Sequence, residues 1–275
     1  MLKSRLCIAF FAFAVGCAPA QKPLTDYVNP MLGTATLWDS VDLGFKPTKR
    51  TWGAEVFPGS SLPNAMVQVS PVTKFHSGAG YQYEDSVIYG FTHTNKGHWN
   101  LCHIPLLPVT GTPTPGDYCS PFSHERESAA PGYYQVFLDR YGVDAQLSST
   151  LRCAFHKYTY PAGAAPAVLA DLQRSNEHVR AWDIRKEGDN VFAGWQQTGE
   201  KMYFYAVANR PVTGIEPVVE GDREVRIVRF GEGDGALELR IGFSFVSEKN
   251  ARENLEAEML GKSFAEVRSL SLIHI

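Results

Sequence analysis

Apolar and polar positions alternate most clearly in the second half of the chain. From Ala236 to Val246 the residues Leu237, Leu239, Ile241, Phe243 and Phe245 fall on one side, with Glu238 and Arg240 on the other. A period of two predicts a strand with one face on a core and the other toward solvent. Tyr133 to Tyr141 repeats the pattern, with Tyr134, Val136 and Leu138 opposite Gln135 and Asp139. Further strand-length runs are Val143–Ser149, Leu151–Tyr160, Ala167–Leu172, His178–Arg185, Val191–Gln197, Met202–Ala208 and Glu224–Phe230. Gly, Asp or Asn separates them at a spacing of about ten residues, the signature of antiparallel β architecture. The first 130 residues hold only short apolar runs between Gly and Pro: Met66–Val69, Val87–Phe91 and Leu106–Val109. Each has strand length and none has helix length.

The period then changes. Ser247 precedes EKNARENLEAEML, rich in good helix formers, and Ser247 is placed to cap the first turn. Ala251, Leu255 and Met259 recur every four residues and predict a helix with a narrow apolar stripe. The sequence therefore predicts an all-β antiparallel sandwich at 21–246 and a C-terminal linker helix at 247–269. Residues 270–275, LSLIHI, match a translated sequencing-adapter end, so the natural protein is expected to be longer.

The N-terminus reads as a targeting segment. Lys3 and Arg5 precede an apolar run from Leu6 to Val15, which is too short for a permanent bilayer span. Two processing sites stay open: cleavage after Ala20, or lipidation at Cys17 within Ala14-Val15-Gly16-Cys17. Either predicts export to a periplasmic, outer-membrane lipoprotein or extracellular location, with membrane contact only through a lipid anchor. Loss of residues 1–20 removes two cations and takes the net charge from −3 to about −5. With no basic run, nucleic acid is not an expected partner. Hydrophobic residues make up 44% and charged residues 20% of the chain, which suits a folded domain. Cys102, Cys119 and Cys153 remain after processing, either as buried thiols or with one bridge such as Cys102–Cys119.

Residues 89–111, YGFTHTNKGHWNLCHIPLLPVTG, concentrate the candidate chemistry. His93, His98, Trp99, Cys102 and His103 lie within 11 residues, interrupted by Gly97 and followed by Pro105 and Pro108. That composition predicts a loop that presents side chains. Three readings stay open: hydrogen-bonded loop packing, a zinc site at a spacing that fits no common pattern, and a sugar pocket in which Trp99 stacks on a pyranose. No carboxylate pair suited to glycoside hydrolysis stands out; Glu84-Asp85 are adjacent and diverge on a strand. No phosphate loop, nucleophile elbow or dinucleotide fingerprint is present.

Several longer segments carry a resemblance. YVNPMLGT at 27–34, FPGSSLPNAMVQVSP at 57–71, GYQYEDSVIYGFTHT at 80–94, PGYYQVFLDRYGVDAQLSSTLRCAFHKYTYP at 131–161 and VSEKNARENLEAE at 246–258 resemble, in order, glycoside hydrolase family 92. That family comprises calcium-dependent exo-acting α-mannosidases of bacteria, especially Bacteroidetes. The resemblance implies a galactose-mutarotase-like supersandwich, then a helical linker and an (α/α)6 barrel. The catalytic acid, the base and the calcium ligands would lie in that barrel, beyond this chain. The fragment alone is expected to be inactive, with an α-mannoside glycan and its own barrel as partners. Two departures stand out: Asn95 replaces a second His, and KFHSGAG from Lys74 lacks an expected Trp. They resemble a specificity subgroup, such as one acting on mannose-1-phosphate diesters. His76, His93, Asn95, His98, Trp99 and His103 are the substrate-binding candidates, as one wall of a sugar pocket. The alternative is a free-standing carbohydrate-binding sandwich without catalysis.

Overall fold

The predicted alternating runs become strands of two large antiparallel sheets, in a computed structural model that describes residues 22–37, 44–46, 54–96 and 99–272. In chain order the strands are β1 (Ser60–Ser61), β2 (Gln68–Val72), β3 (Val87–Ile88), β4 (Gly90–Thr92), β5 (Asn95–Lys96), β6 (Trp99–Asn100) and β7 (Leu106–Val109). Next come β8 (Ser120–Pro121), β9 (Glu127–Ala130), β10 (Tyr133–Leu138), β11 (Val143–Ser149), β12 (Cys153–Thr159) and β13 (Ala167–Ala170). The last are β14 (Ala181–Gly188), β15 (Val191–Gln197), β16 (Lys201–Ala208), β17 (Val212–Glu220), β18 (Arg223–Phe230) and β19 (Leu237–Ser244). One sheet runs β1-β2-β4-β7-β13-β18-β17 and the other β14-β15-β16-β19-β12-β11-β10-β9, while β3 pairs with β8 and β5 with β6.

The sheets pack face to face. Phe91, Val168 and Ile227 of the first meet a layer from the second that includes Tyr134, Leu147, Phe204 and Ile241, all with essentially no exposure. Leu237, Leu239, Ile241 and Phe243 point inward as the alternation predicts. The opposite face of β19 departs from expectation. Instead of meeting water, the Arg240 guanidinium lies 4.4 Å from the centre of the Phe155 ring and donates to the Lys262 carbonyl at 2.8 Å. The reason is a second layer. Helices α1 (Glu248–Glu258) and α2 (Phe264–Ser271) cover this face, and Leu255, Met259, Phe264 and Val267 pack on Tyr133, Cys153 and Phe155.

Ser247 caps α1 by accepting from the Asn250 N–H at 3.1 Å, and Ser263 forms a capping box with Glu266 at the start of α2. Ala251, Leu255 and Met259 are buried, so the four-residue stripe is the face that docks. Leu270 and Ser271, the start of LSLIHI, belong to α2, and the Ser271 hydroxyl donates to the Ser149 carbonyl at 2.7 Å. Residues 273–275 and the N-terminal segment with Cys17 and Ala20 lie outside the described residues.

Two strand assignments change. The run at Val87–Phe91 breaks at Tyr89 into β3 and β4, which join different sheets. Strand β17 was not expected, because Gly214 and Pro217 interrupt its pattern. It lies at the sheet edge, where a residue without a backbone N–H is tolerated. Among the described residues no helix is long and apolar enough to cross a membrane.

Candidate functional site

Three connections converge: the loop after β2, the block from β5 to β7, and the crossover at 171–180 between β13 and β14. Asn176 ties them together. Its Oδ1 accepts from the His76 backbone at 2.6 Å, and its Nδ2 donates to the carbonyls of Asn100 at 2.6 Å and Ser77 at 3.3 Å. The Ser175 hydroxyl donates to the Leu101 carbonyl at 2.6 Å. From below, the buried Gln196 of β15 accepts from the Ile104 N–H at 2.9 Å and donates to the carbonyls of Leu172 and Arg174 at 3.0 and 2.9 Å. Buried polar groups satisfied in this way make the loops a rigid platform.

The platform holds strained backbone. His76, Cys102 and Ile104 adopt positive φ of 60°, 53° and 52°. For β-branched Ile104 this is an outlier, since its Cβ crowds the neighbouring carbonyl. Such strain persists only where the surroundings over-determine it, and it clusters at functional loops.

The predicted site residues separate into two groups. His93 has no solvent exposure. Its Nε2 lies 3.0 Å from Nε2 of His156, its Nδ1 lies 3.4 Å from the His103 carbonyl, and Phe243 packs on the ring with centroids 4.6 Å apart. Burial drives its pKa down to about 3. His93 is thus a neutral core histidine, enclosed between the sheets against His156 and Phe243. His103 is 2% exposed, with Nδ1 2.9 Å from the Thr94 hydroxyl and Nε2 3.1 Å from the Thr198 hydroxyl and 3.3 Å from Glu177 Oε2. Burial lowers its pKa, against the pull of the Glu177 carboxylate.

The remaining candidates sit toward the surface. Trp99 is 44% exposed on the β5–β6 hairpin, in register with Lys96. Asn95 pairs with Asn100 across that hairpin, and its Oδ1 is buried without a hydrogen-bond partner among the described residues. His76 is exposed and lines an open cleft of about 860 Å³. His98 falls outside the described residues. The ring nitrogens of His93 and His103 face partners in different surroundings. Among the described residues no three carboxylate, imidazole or thiol groups converge as a metal site. Cys102, Cys119 and Cys153 are free thiols, and burial pushes those of Cys102 and Cys153 upward and so disfavours thiolates.

Sequence reasoning missed Asn176, Glu177, Thr198 and His156. The polar run QRSNEH at 173–178 was the available signal for the first two. His156 gave none, because its partner His93 is 63 residues away in sequence.

A family model for the glycosyl hydrolase family 92 N-terminal domain matches residues 27–252. Among solved structures, the family GH92 alpha-mannosidase BT3965 from Bacteroides thetaiotaomicron is 25% identical with a TM-score of 0.78, over 91% of this chain and 37% of that one. The GH92 family glycosyl hydrolase ccman5 is 25% identical with a TM-score of 0.67, over 78% of this chain and 34% of that one. The family GH92 inverting mannosidase BT2199 from B. thetaiotaomicron VPI-5482 shares the fold, at 23% identity and a TM-score of 0.75, over 92% of this chain and 36% of that one. No curated protein matches the chain significantly. The chain spans about a third of the length of these solved structures. By fold and by the match over 27–252, this chain belongs to the glycosyl hydrolase family 92 N-terminal domain family.

Proposed function

We propose that this chain is the N-terminal part of an exported exo-α-mannosidase, and that its loop platform forms one wall of the substrate pocket. The reading rests on one combination: membership of the N-terminal domain family over 27–252, with only about a third of each matched structure covered. Bond cleavage and the calcium ion then belong to a domain that follows α2. The exposed Trp99 and His76, carried on backbone fixed by Asn176 and Gln196, supply an aromatic face and a hydrogen-bonding ring to a sugar. Substrate selection is the part assigned to this chain, with chemistry assigned to its continuation.

The test compares mannose release from α-mannosides by this chain and by the protein extended through the following reading frame. The chain alone releases none. The extended protein releases mannose, loses activity to a chelator and regains it with calcium. Mannose release by residues 1–275 alone, or none by the extended protein, defeats the reading. In the extended protein Trp99→Ala and His76→Ala each lower kcat/KM about tenfold, the scale of one lost stacking or hydrogen-bonding contact. Unchanged values for both remove the loops from the pocket wall.

A further inference from the structure

The cleft of about 860 Å³ runs from His76 along the 173–182 segment to the Asp222-Arg223 turn. Glu177 stands in it as a carboxylate already aimed. Its Oε2 accepts from the Thr198 hydroxyl at 2.6 Å and lies 3.3 Å from His103 Nε2. The Thr198 proton is committed to Glu177, so the only proton left for the His103 contacts is its own, on Nε2. His103 Nδ1 then accepts from the Thr94 hydroxyl at 2.9 Å. Two buried residues therefore hold one oxygen of Glu177, while the side chain as a whole is 44% exposed. The second oxygen, Oε1, has no partner among the described residues and remains an open acceptor.

The rest of the cleft suits the same ligand chemistry. His76 and His178 are exposed and supply ring nitrogens without partners among the described residues. Trp182 is half-buried at the far end, with the Arg226 guanidinium 5.1 Å from its ring centre. A prepositioned carboxylate, two imidazoles and an indole match a ligand rich in hydroxyls with an apolar ring face. We infer that this cleft is a saccharide-binding site for neutral sugar units of the glycan beyond the one being released, with Glu177 as its fixed hydroxyl acceptor. The inference rests on the mannoside reading for the identity of the sugar, but not for the existence of the site.

The experiment is a titration of the chain with α-mannotriose, followed by ¹H–¹⁵N correlation spectra. Saturable shifts are expected at His76 and across Ser175–Trp182. Glu177→Gln keeps the size of the side chain and the contact with His103 while removing its charge, and weakens binding about tenfold. Trp182→Ala weakens it to a similar degree, and Thr198→Val, which frees the carboxylate, weakens it severalfold. Trisaccharide that leaves 175–182 unmoved, or a Glu177→Gln variant that binds like the parent, overturns the site. Shifts at Trp99 and Asn95 without shifts at 175–182 also overturn it, while leaving the mannosidase reading intact. Shifts at 175–182, combined with an extended protein that cleaves no mannoside, uphold the site and refute the mannosidase reading.

Discussion

His93 and His156 face each other through their Nε2 atoms at 3.0 Å, with their rings stacked at 24° and no access to water. One of the two must donate, and the surroundings decide which. The Nδ1 of His93 points to the His103 carbonyl, which only accepts, so Nδ1 carries the proton. In a neutral ring, Nε2 of His93 is then the acceptor and Nε2 of His156 the donor. This leaves His156 Nδ1 to accept from the Tyr158 hydroxyl, 2.5 Å away. The chain of bonds runs one way, from Tyr158 through both rings to the backbone of the strained 102–104 segment. Long-range ¹H–¹⁵N spectra should therefore show His93 protonated on Nδ1 and His156 on Nε2. The opposite pair of tautomers would rule out this direction. Tyr158→Phe leaves His156 Nδ1 without a donor and should cost about 1–3 kcal/mol of stability.

The same rings make stability depend on pH. Burial lowers the pKa of His93 to about 3, and burial, then the neighbouring His93, lowers that of His156. His103 is also lowered, by burial. In the unfolded chain each returns to about 6.5, so below that value the unfolded state binds more protons than the folded one. The stabilisation is fully present above about pH 6.5 and is lost as pH falls toward about 3, at up to about 1.4 kcal/mol per pH unit for each histidine. Urea unfolding at pH 7.5 and pH 5 should show a marked fall in midpoint. A flat profile over that range contradicts it. His93→Gln should reduce the slope while lowering stability at pH 7.5, because the amide cannot reproduce both ring contacts.

How much of this was open to the sequence depends on what each feature needs. Strands β10, β11 and β19 were legible because one face of each is buried, so periodicity two is written into Tyr134-Val136-Leu138 and Leu237-Leu239-Ile241. The α1 stripe was legible for the same reason at a period near four. The helical cover over Arg240 was not, because nothing local distinguishes a charged residue facing water from one lying on Phe155 under a second layer. The composition of the block at 89–111 predicts a loop that presents side chains, but composition cannot sort its rings by depth. His93 and Trp99 look alike in the sequence, yet one is enclosed and the other 44% exposed. The pairing that places His93 in the core is with His156, 63 residues away, and leaves no local mark in the sequence.

Glu127 supports a second prediction about the core. Its side chain is fully enclosed and accepts from Tyr134 at 2.6 Å, from Tyr81 at 2.9 and 3.0 Å, and from His124 Nδ1 at 2.6 Å. His124 Nε2 faces the Tyr83 carbonyl at 2.6 Å, with the two rings stacked 3.8 Å apart. One carboxylate therefore joins β9, β10 and the loop before β3. Glu127→Ala strands two tyrosine hydroxyls and an imidazole and should cost about 3–5 kcal/mol. Glu127→Gln keeps an oxygen for the tyrosines and should cost less. The check is the midpoint of urea unfolding at constant slope; an Ala variant within 1 kcal/mol of the parent, on the order of a single neutral hydrogen bond, contradicts the role.

Gly242 fixes how closely the helical layer approaches the sheet. It stands opposite Cys153 in the β12–β19 register, beneath α1. A Cβ built there would lie 2.1 Å from the Ala251 carbonyl oxygen and 2.8 Å from the Leu255 Cβ. No left-handed backbone is involved; the requirement is space alone, because the helix backbone itself fills the place of a side chain. Gly242→Ala must push α1 outward and loosen Leu255 and Met259 from Phe155 and Cys153. The expected cost is about 2–3 kcal/mol, typical of overpacking against unyielding neighbours. Gly242→Val should cost more and raise hydrogen exchange in α1 before that in the inner strands. Exchange that rises equally in β19 and α1 would mean that the helix is no separable layer. On the proposed reading a catalytic domain follows α2, so the same substitution in the extended protein should disturb the position of that domain. A loss of activity larger than the loss of folded protein would expose that effect.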